Sequence, residues 1–101
     1  MKLLHFTDAA KEDYLEAKAW YTEIKDVLGD YFESAIDHTI QRILANPLEF
    51  PIITGSTRKA LVTHFPFNIF FINIKSENSI IITAVLHHRR NPKQLESVDQ
   101  N

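Results

Sequence analysis

The stretch Phe67-Asn68-Ile69-Phe70-Phe71-Ile72-Asn73-Ile74-Lys75 decides how the rest of this sequence is read. In an extended chain, successive side chains point to opposite faces. Phe67, Ile69 and Phe71 then fall on one face and Phe70, Ile72 and Ile74 on the other, so both faces are apolar. That pattern predicts a central strand covered on both sides. Just before it, Pro66 interrupts an alternating run over Arg58–Phe65. There Lys59, Leu61, Thr63 and Phe65 oppose Arg58, Ala60, Val62 and His64, which predicts a second strand. Just after it, Ser76-Glu77-Asn78 has the composition of a hairpin turn. Ser79–His88 alternates again, with Ile80, Ile82, Ala84 and Leu86 against Ile81, Thr83, Val85 and His87. Arg89-Arg90-Asn91-Pro92 closes that strand. Residues 93–101 are polar and read as a fraying tail, which bounds the domain at 1–92.

Upstream, the period changes from two to between three and four. Ala10, Tyr14, Ala17, Tyr21, Ile24 and Leu28 recur at helical spacing, and Lys11, Glu12, Asp13, Glu16, Lys18, Glu23 and Lys25 form the wet face. Thr7 or Asp8 is the expected N-cap. Trp20, beside Tyr21, is expected to cover the edge of the apolar stripe. Gly29 stands where a left-handed C-cap would end the helix. A second helix is expected from about Asp30, carrying Phe32, Ala35, Ile36, Thr39, Ile40, Ile43 and Leu44 on its apolar side. Asn46-Pro47 ends it, because the residue before a proline avoids helical backbone angles. Residues 46–57 show no periodicity and read as a connecting loop. Leu3, Leu4 and Phe6 supply a first strand at about 2–6. The order is β-α-α-β-β-β, an α+β domain with a helix hairpin packed on a mostly antiparallel sheet.

The 101 residues fit one domain. An apolar fraction of 45%, with seven Phe, three Tyr and one Trp, is enough for one core. Net charge is −2, unlike the strongly basic balance of a general nucleic-acid coat. The charge is unevenly spread. Residues 1–50 carry five basic and ten acidic residues, a balance of −5. Residues 51–101 carry six basic and three acidic residues, a balance of +3. Without cysteine there is no disulfide framework, zinc–thiolate site or Cys nucleophile, which fits a cytoplasmic protein. No segment approaches the ~20 apolar residues of a membrane helix, and the N-terminal apolar run is too short for a signal peptide. His5, His38 and His64 are isolated and no His-x-x-x-His spacing exists, so neither a metal nor a cofactor is expected. With only two glycines there is no phosphate-cradling loop, and no Ser sits in a nucleophile elbow.

Several residues in order resemble a known family: Ala17…Trp20-Tyr21, Leu28-Gly29…Phe32, Asn46-Pro47…Pro51, Arg58…Phe65-Pro66-Phe67-x-Ile69-Phe70-Phe71 and Val85-x-His87-x-Arg89-Arg90-x-Pro92. On the β-α-α-β-β-β skeleton, this pattern resembles the RelE/ParE superfamily of toxins from bacterial type II toxin–antitoxin pairs. The resemblance spans about 5–92. It implies a small cytoplasmic growth inhibitor neutralised by a cognate antitoxin, in a complex that can be of higher order. It also implies one of two targets. RelE-like members cut messenger RNA on the ribosome, whereas ParE-like members block DNA gyrase.

A ribonuclease of this kind needs a base for the ribose 2′-hydroxyl, cations for the charge on phosphorus and an acid for the leaving oxygen. By the resemblance, Arg58, His87 and Arg89 would fill these roles, with Arg90 an alternative cation. Two features depart from the RelE-like pattern. Tyr14, Tyr21 and Tyr31 all lie on the helices, so the functional Tyr near the C-terminus is missing, and the strong basic charge is missing too. The ParE-like reading is therefore favoured, with RelE-like cleavage and a degenerate, non-toxic antitoxin-binding member as the alternatives. In a binding toxin, Arg58, Arg89 and Arg90 would form a basic strand end that docks the antitoxin or the target. Trp20, Phe70 and Phe71 would contribute the apolar contact, because one helix hairpin covers only one face of the central strand.

Overall fold

The computed structural model describes residues 2–89. Arg90 and the expected 93–101 tail lie outside the described residues. The elements follow the chain as β1 (Leu3–Phe6), α1 (Asp8–Ile24), α2 (Asp26–Ala45), β2 (Ile52–Thr54), β3 (Thr57–Leu61), β4 (Phe67–Ile74) and β5 (Ser79–His87). Single 3-10 turns stand at Pro47–Glu49 and Lys75–Glu77. The sheet order is β1-β5-β4-β3-β2. The β1–β5 pairing is parallel and the others are antiparallel. This is the expected α+β architecture, with two-faced β4 in the middle of the sheet.

Several boundaries differ from the expectations. Gly29 does not cap a helix. The break between the helices falls at Lys25, whose extended backbone separates Ile24 from Asp26, and Gly29 is buried inside α2. A methyl group at Gly29 would collide with the Thr22 hydroxyl of α1, so the glycine is there for close helix approach. With α1 ending at Ile24, that residue is 56% exposed rather than part of the buried stripe. The 46–57 loop contains β2, a strand too short to show a period. It pairs with β3 through an irregular register. β3 stops at Leu61. The following connection carries His64 at φ 70, a left-handed position rarely taken by a side-chain-bearing residue.

The helix hairpin packs on one face of the sheet. Phe32, Ile36, Ile40 and Ile43 of α2 and Ala10, Ala17 and Tyr21 of α1 meet Phe67, Ile69, Phe71, Ile80, Ile82 and Val85. Phe32 is central, with its ring centroid within 6.0 Å of those of Tyr14, Tyr21, Phe65 and Phe67. On the opposite face Phe70, Ala84 and Leu86 form a smaller buried cluster with Ile53 of β2.

β5 does not alternate as the sequence suggests. Pairing steps from Phe71↔Ile82 to Phe70↔Ala84, so Thr83 is skipped in the register and forms a β-bulge, its hydroxyl donating to the Phe70 carbonyl at 3.2 Å. Before the bulge, Ile80 and Ile82 face the helices. After it, Val85 faces them, and His87 pairs with helix-side Phe67. The expected grouping of Val85 and His87 with Ile81 and Thr83 is thereby corrected: one extra residue reverses the phase.

Candidate partner-binding groove

β1 ends at Phe6, opposite Ile82, while β5 runs on for five more residues. Along that second half the neighbour of β5 is α1. Polar groups at the start of α1 take over from the missing strand. The Thr7 amide donates to the Ile82 carbonyl at 3.0 Å. The Thr7 hydroxyl donates to the Thr83 carbonyl at 3.3 Å and also accepts from the Ala10 amide as the N-cap of α1. One turn further along α1, Asp13 Oδ2 accepts from the Val85 amide at 3.1 Å. A carboxylate thus satisfies a backbone donor that a strand would otherwise meet.

Above these contacts α1 and the strand ends diverge into a groove of about 560 Å³. Asp13, Glu16, Ala17 and Trp20 form the α1 wall. Phe67, Val85, Leu86, His87 and Arg89 line the side formed by the strand ends and the turn that follows. Trp20 is 59% exposed and stands edge-on to Tyr21, 5.0 Å between centroids, so it is an open wall and not the expected cover of the helix stripe. The phenol of Tyr21 is buried behind it, and this burial raises its pKa above the ordinary value.

His87 ends β5, with its ring edge-on to Phe67 at 5.3 Å. The chain then turns back, and the Arg89 amide donates to His87 Nδ1 at 3.1 Å. A backbone N–H can only donate, so Nδ1 is the bare nitrogen of the ring. The proton of the neutral imidazole therefore sits on Nε2. A general base needs a bare nitrogen free to accept, and in His87 that nitrogen is already engaged.

Arg58 is elsewhere. It pairs with Phe71, four residues along β4 from the Phe67 that faces His87, a distance of about 13 Å along the strand. Its guanidinium donates to the Phe50 carbonyl at 2.6 Å, tying β3 to the segment that follows α2. Of the residues singled out in the sequence, the structure brings together Trp20, His87 and Arg89 and leaves Arg58 apart. Phe70 and Phe71 are both fully buried, Phe71 under the helices and Phe70 on the other face. Asp13 and Glu16, on the wet face by their spacing, stand on the groove wall. The usable signal was their phase: Asp13, Ala17 and Trp20 recur at steps of four and three, a stripe beside the core stripe. Among the described residues, no group of three His, Asp or Glu is placed to hold a metal ion, and no helix is long and apolar enough to cross a membrane.

The fold is that of the RelE/ParE superfamily. The isolated RelE toxin of E. coli superposes with a TM-score of 0.67 at 13% identity, covering 99% of this chain and 98% of that one. The toxin fold in the intact E. coli RelBE toxin–antitoxin complex gives 0.64 at 11% identity, over 84% of this chain and 94% of that one. A chain of the chromosomal ParDE toxin–antitoxin system from P. aeruginosa gives 0.62 at 17% identity, over 86% and 96%. No curated protein matches the sequence. The family described as "ParE toxin of type II toxin-antitoxin system, parDE" matches residues 4–92, and the chain belongs to it.

Proposed function

We propose that this chain arrests growth when free, that a cognate antitoxin neutralises it in the cytoplasm, and that it acts by binding, as a ParE-like inhibitor of DNA gyrase. The observation that carries the preference for binding over RNA cleavage is the hydrogen bond from the Arg89 amide to His87 Nδ1. It commits the bare ring nitrogen that a 2′-hydroxyl proton would need. Arg58 supports the same reading, because its guanidinium is engaged by the Phe50 carbonyl and it does not line the groove with His87 and Arg89. Trp20 and Arg89 are the contacts we assign to the groove. Phe71 lies in the core under the helices, while Arg58 and Phe70 lie away from the groove.

The test is expression without the antitoxin, alongside His87→Ala and Arg89→Ala variants. Growth arrest with induced DNA damage and intact messages is the expected result, with arrest weakened by both substitutions. Messages cut at ribosome-occupied sites, with cutting abolished by both substitutions, would overturn the gyrase reading.

A further inference from the structure

We propose that His87 serves the groove as a fixed hydrogen-bond donor and reads an acceptor oxygen on a protein segment, a carboxylate flanked by an apolar side chain. This rests on the groove being the surface that binds a partner.

The donor role follows from two contacts. The Arg89 amide fills Nδ1 and so places the proton of the neutral ring on Nε2. Phe67 packs edge-on against the same ring and limits its rotation. The orientation is thus set from both sides before any partner arrives, which reduces the ordering cost of binding. Arg89 lines the same groove and adds a permanent positive charge there, and donors of this kind favour a carboxylate over a neutral oxygen.

The class of partner follows from the remaining walls. Ala17, Trp20, Phe67, Val85 and Leu86 are apolar and suit a side chain, while Glu16 adds an exposed carboxylate on the α1 wall. A nucleic-acid strand carries a negative charge at every phosphate, which suits neither the apolar lining nor the Glu16 carboxylate. A peptide can set one carboxylate against His87 and Arg89 and turn an apolar or basic side chain toward α1. The charge arrangement therefore favours a protein segment.

Two measurements on the full chain test this. Imidazole nitrogen shifts of uniformly ¹⁵N-labelled protein should show neutral His87 as the Nε2–H form. The Nδ1–H form, or an even mixture, would overturn the proposal. Growth arrest by the chain expressed alone should fall about tenfold or more in His87→Leu, the loss expected for one hydrogen bond to a charged acceptor. His87→Gln, whose amide N–H reaches the place of Nε2–H, should recover most of that loss. A folded Gln variant as inert as the Leu variant would overturn the proposal, as would RNA cleavage by the wild-type chain that His87→Gln abolishes. If the wild-type chain causes no arrest at all, the toxin reading fails, while the nitrogen shifts still decide whether His87 is a fixed donor.

Discussion

The two halves of β5 are built differently. Ser79–Ile82 lies between two strands, β1 and β4, with Ile80 and Ile82 fully buried beneath the helices. Ala84–His87 has a strand on one side only. Its other side meets α1, and a carboxylate replaces a ladder partner. The first half is closed on both edges and contributes core. The second keeps an edge beside a groove and carries His87. The Thr83 bulge separates them. On the proposed reading, stability and recognition fall to adjacent segments of one strand, so substitutions should tell them apart.

The largest effect belongs to the closed half. Ile82→Ala removes a fully buried side chain and should cost about 2–5 kcal/mol in denaturant unfolding. The ring signals of His87 should stay where they are; if they move, the two halves are coupled and the division fails. Gly29→Ala should cost about 1–3 kcal/mol, because the new methyl forces the helices apart at Thr22. Adding Thr22→Ala should recover much of that loss, and no recovery would mean that the collision is not the cause. Asp13→Ala attacks the open half and should cost about 1–2 kcal/mol. Its signature is local: faster hydrogen exchange at the Val85 amide and shifted His87 signals, the reverse of Ile82→Ala.

Alkaline pH probes the α1 phenols that pack against Phe32 of α2. Burial raises the pKa of Tyr14 and Tyr21 above the ordinary 10.0, and the negative charge of Glu33 raises Tyr14 further. The folded state thus favours the neutral phenols. Their contribution is complete below pH 10.0 and is lost as pH rises through the raised folded values. Urea midpoints measured from pH 8 upward should be level at first and then fall, and Tyr14→Phe should flatten the fall. The smallest effect is a gain. His64→Gly relieves a side chain held at φ 70 and should raise stability by under about 1 kcal/mol, seen as a higher melting temperature.

Much of the fold was legible because its signals are long. Seventeen and twenty residues of helix repeat their period several times, and β4 places three large apolar residues on each face, interrupted only by Asn68 and Asn73. What was missed is short or ambiguous. β2 has three residues, fewer than two full alternations. In Ile80-Ile81-Ile82 every residue is apolar, so the pattern cannot fix which face is buried, and the bulge at Thr83 leaves no mark in hydrophobicity. Gly29 follows a run of apolar helix positions as a cap would, and only the position of Thr22 on the neighbouring helix shows why it is glycine. In the groove, Trp20, His87 and Arg89 were legible because they belong to the ordered pattern of the family resemblance, His87 and Arg89 at the basic end of the last strand. Asp13 was not, because a carboxylate bonded to a strand amide looks the same in sequence as one facing water.

The Thr83 bulge also bears on how chains of this fold should be lined up with one another. Ile82 faces the helices and Ala84 faces away, so removing the residue between them restores plain alternation without turning any side chain over. A chain one residue shorter here could present the same groove. Position 83 is thus where a single-residue gap leaves the facing of the strand unchanged, at the loss of the Thr7–Thr83 and Thr83–Phe70 hydrogen bonds. A gapless match across it would compare His87 with a neighbour on the wrong face of the sheet.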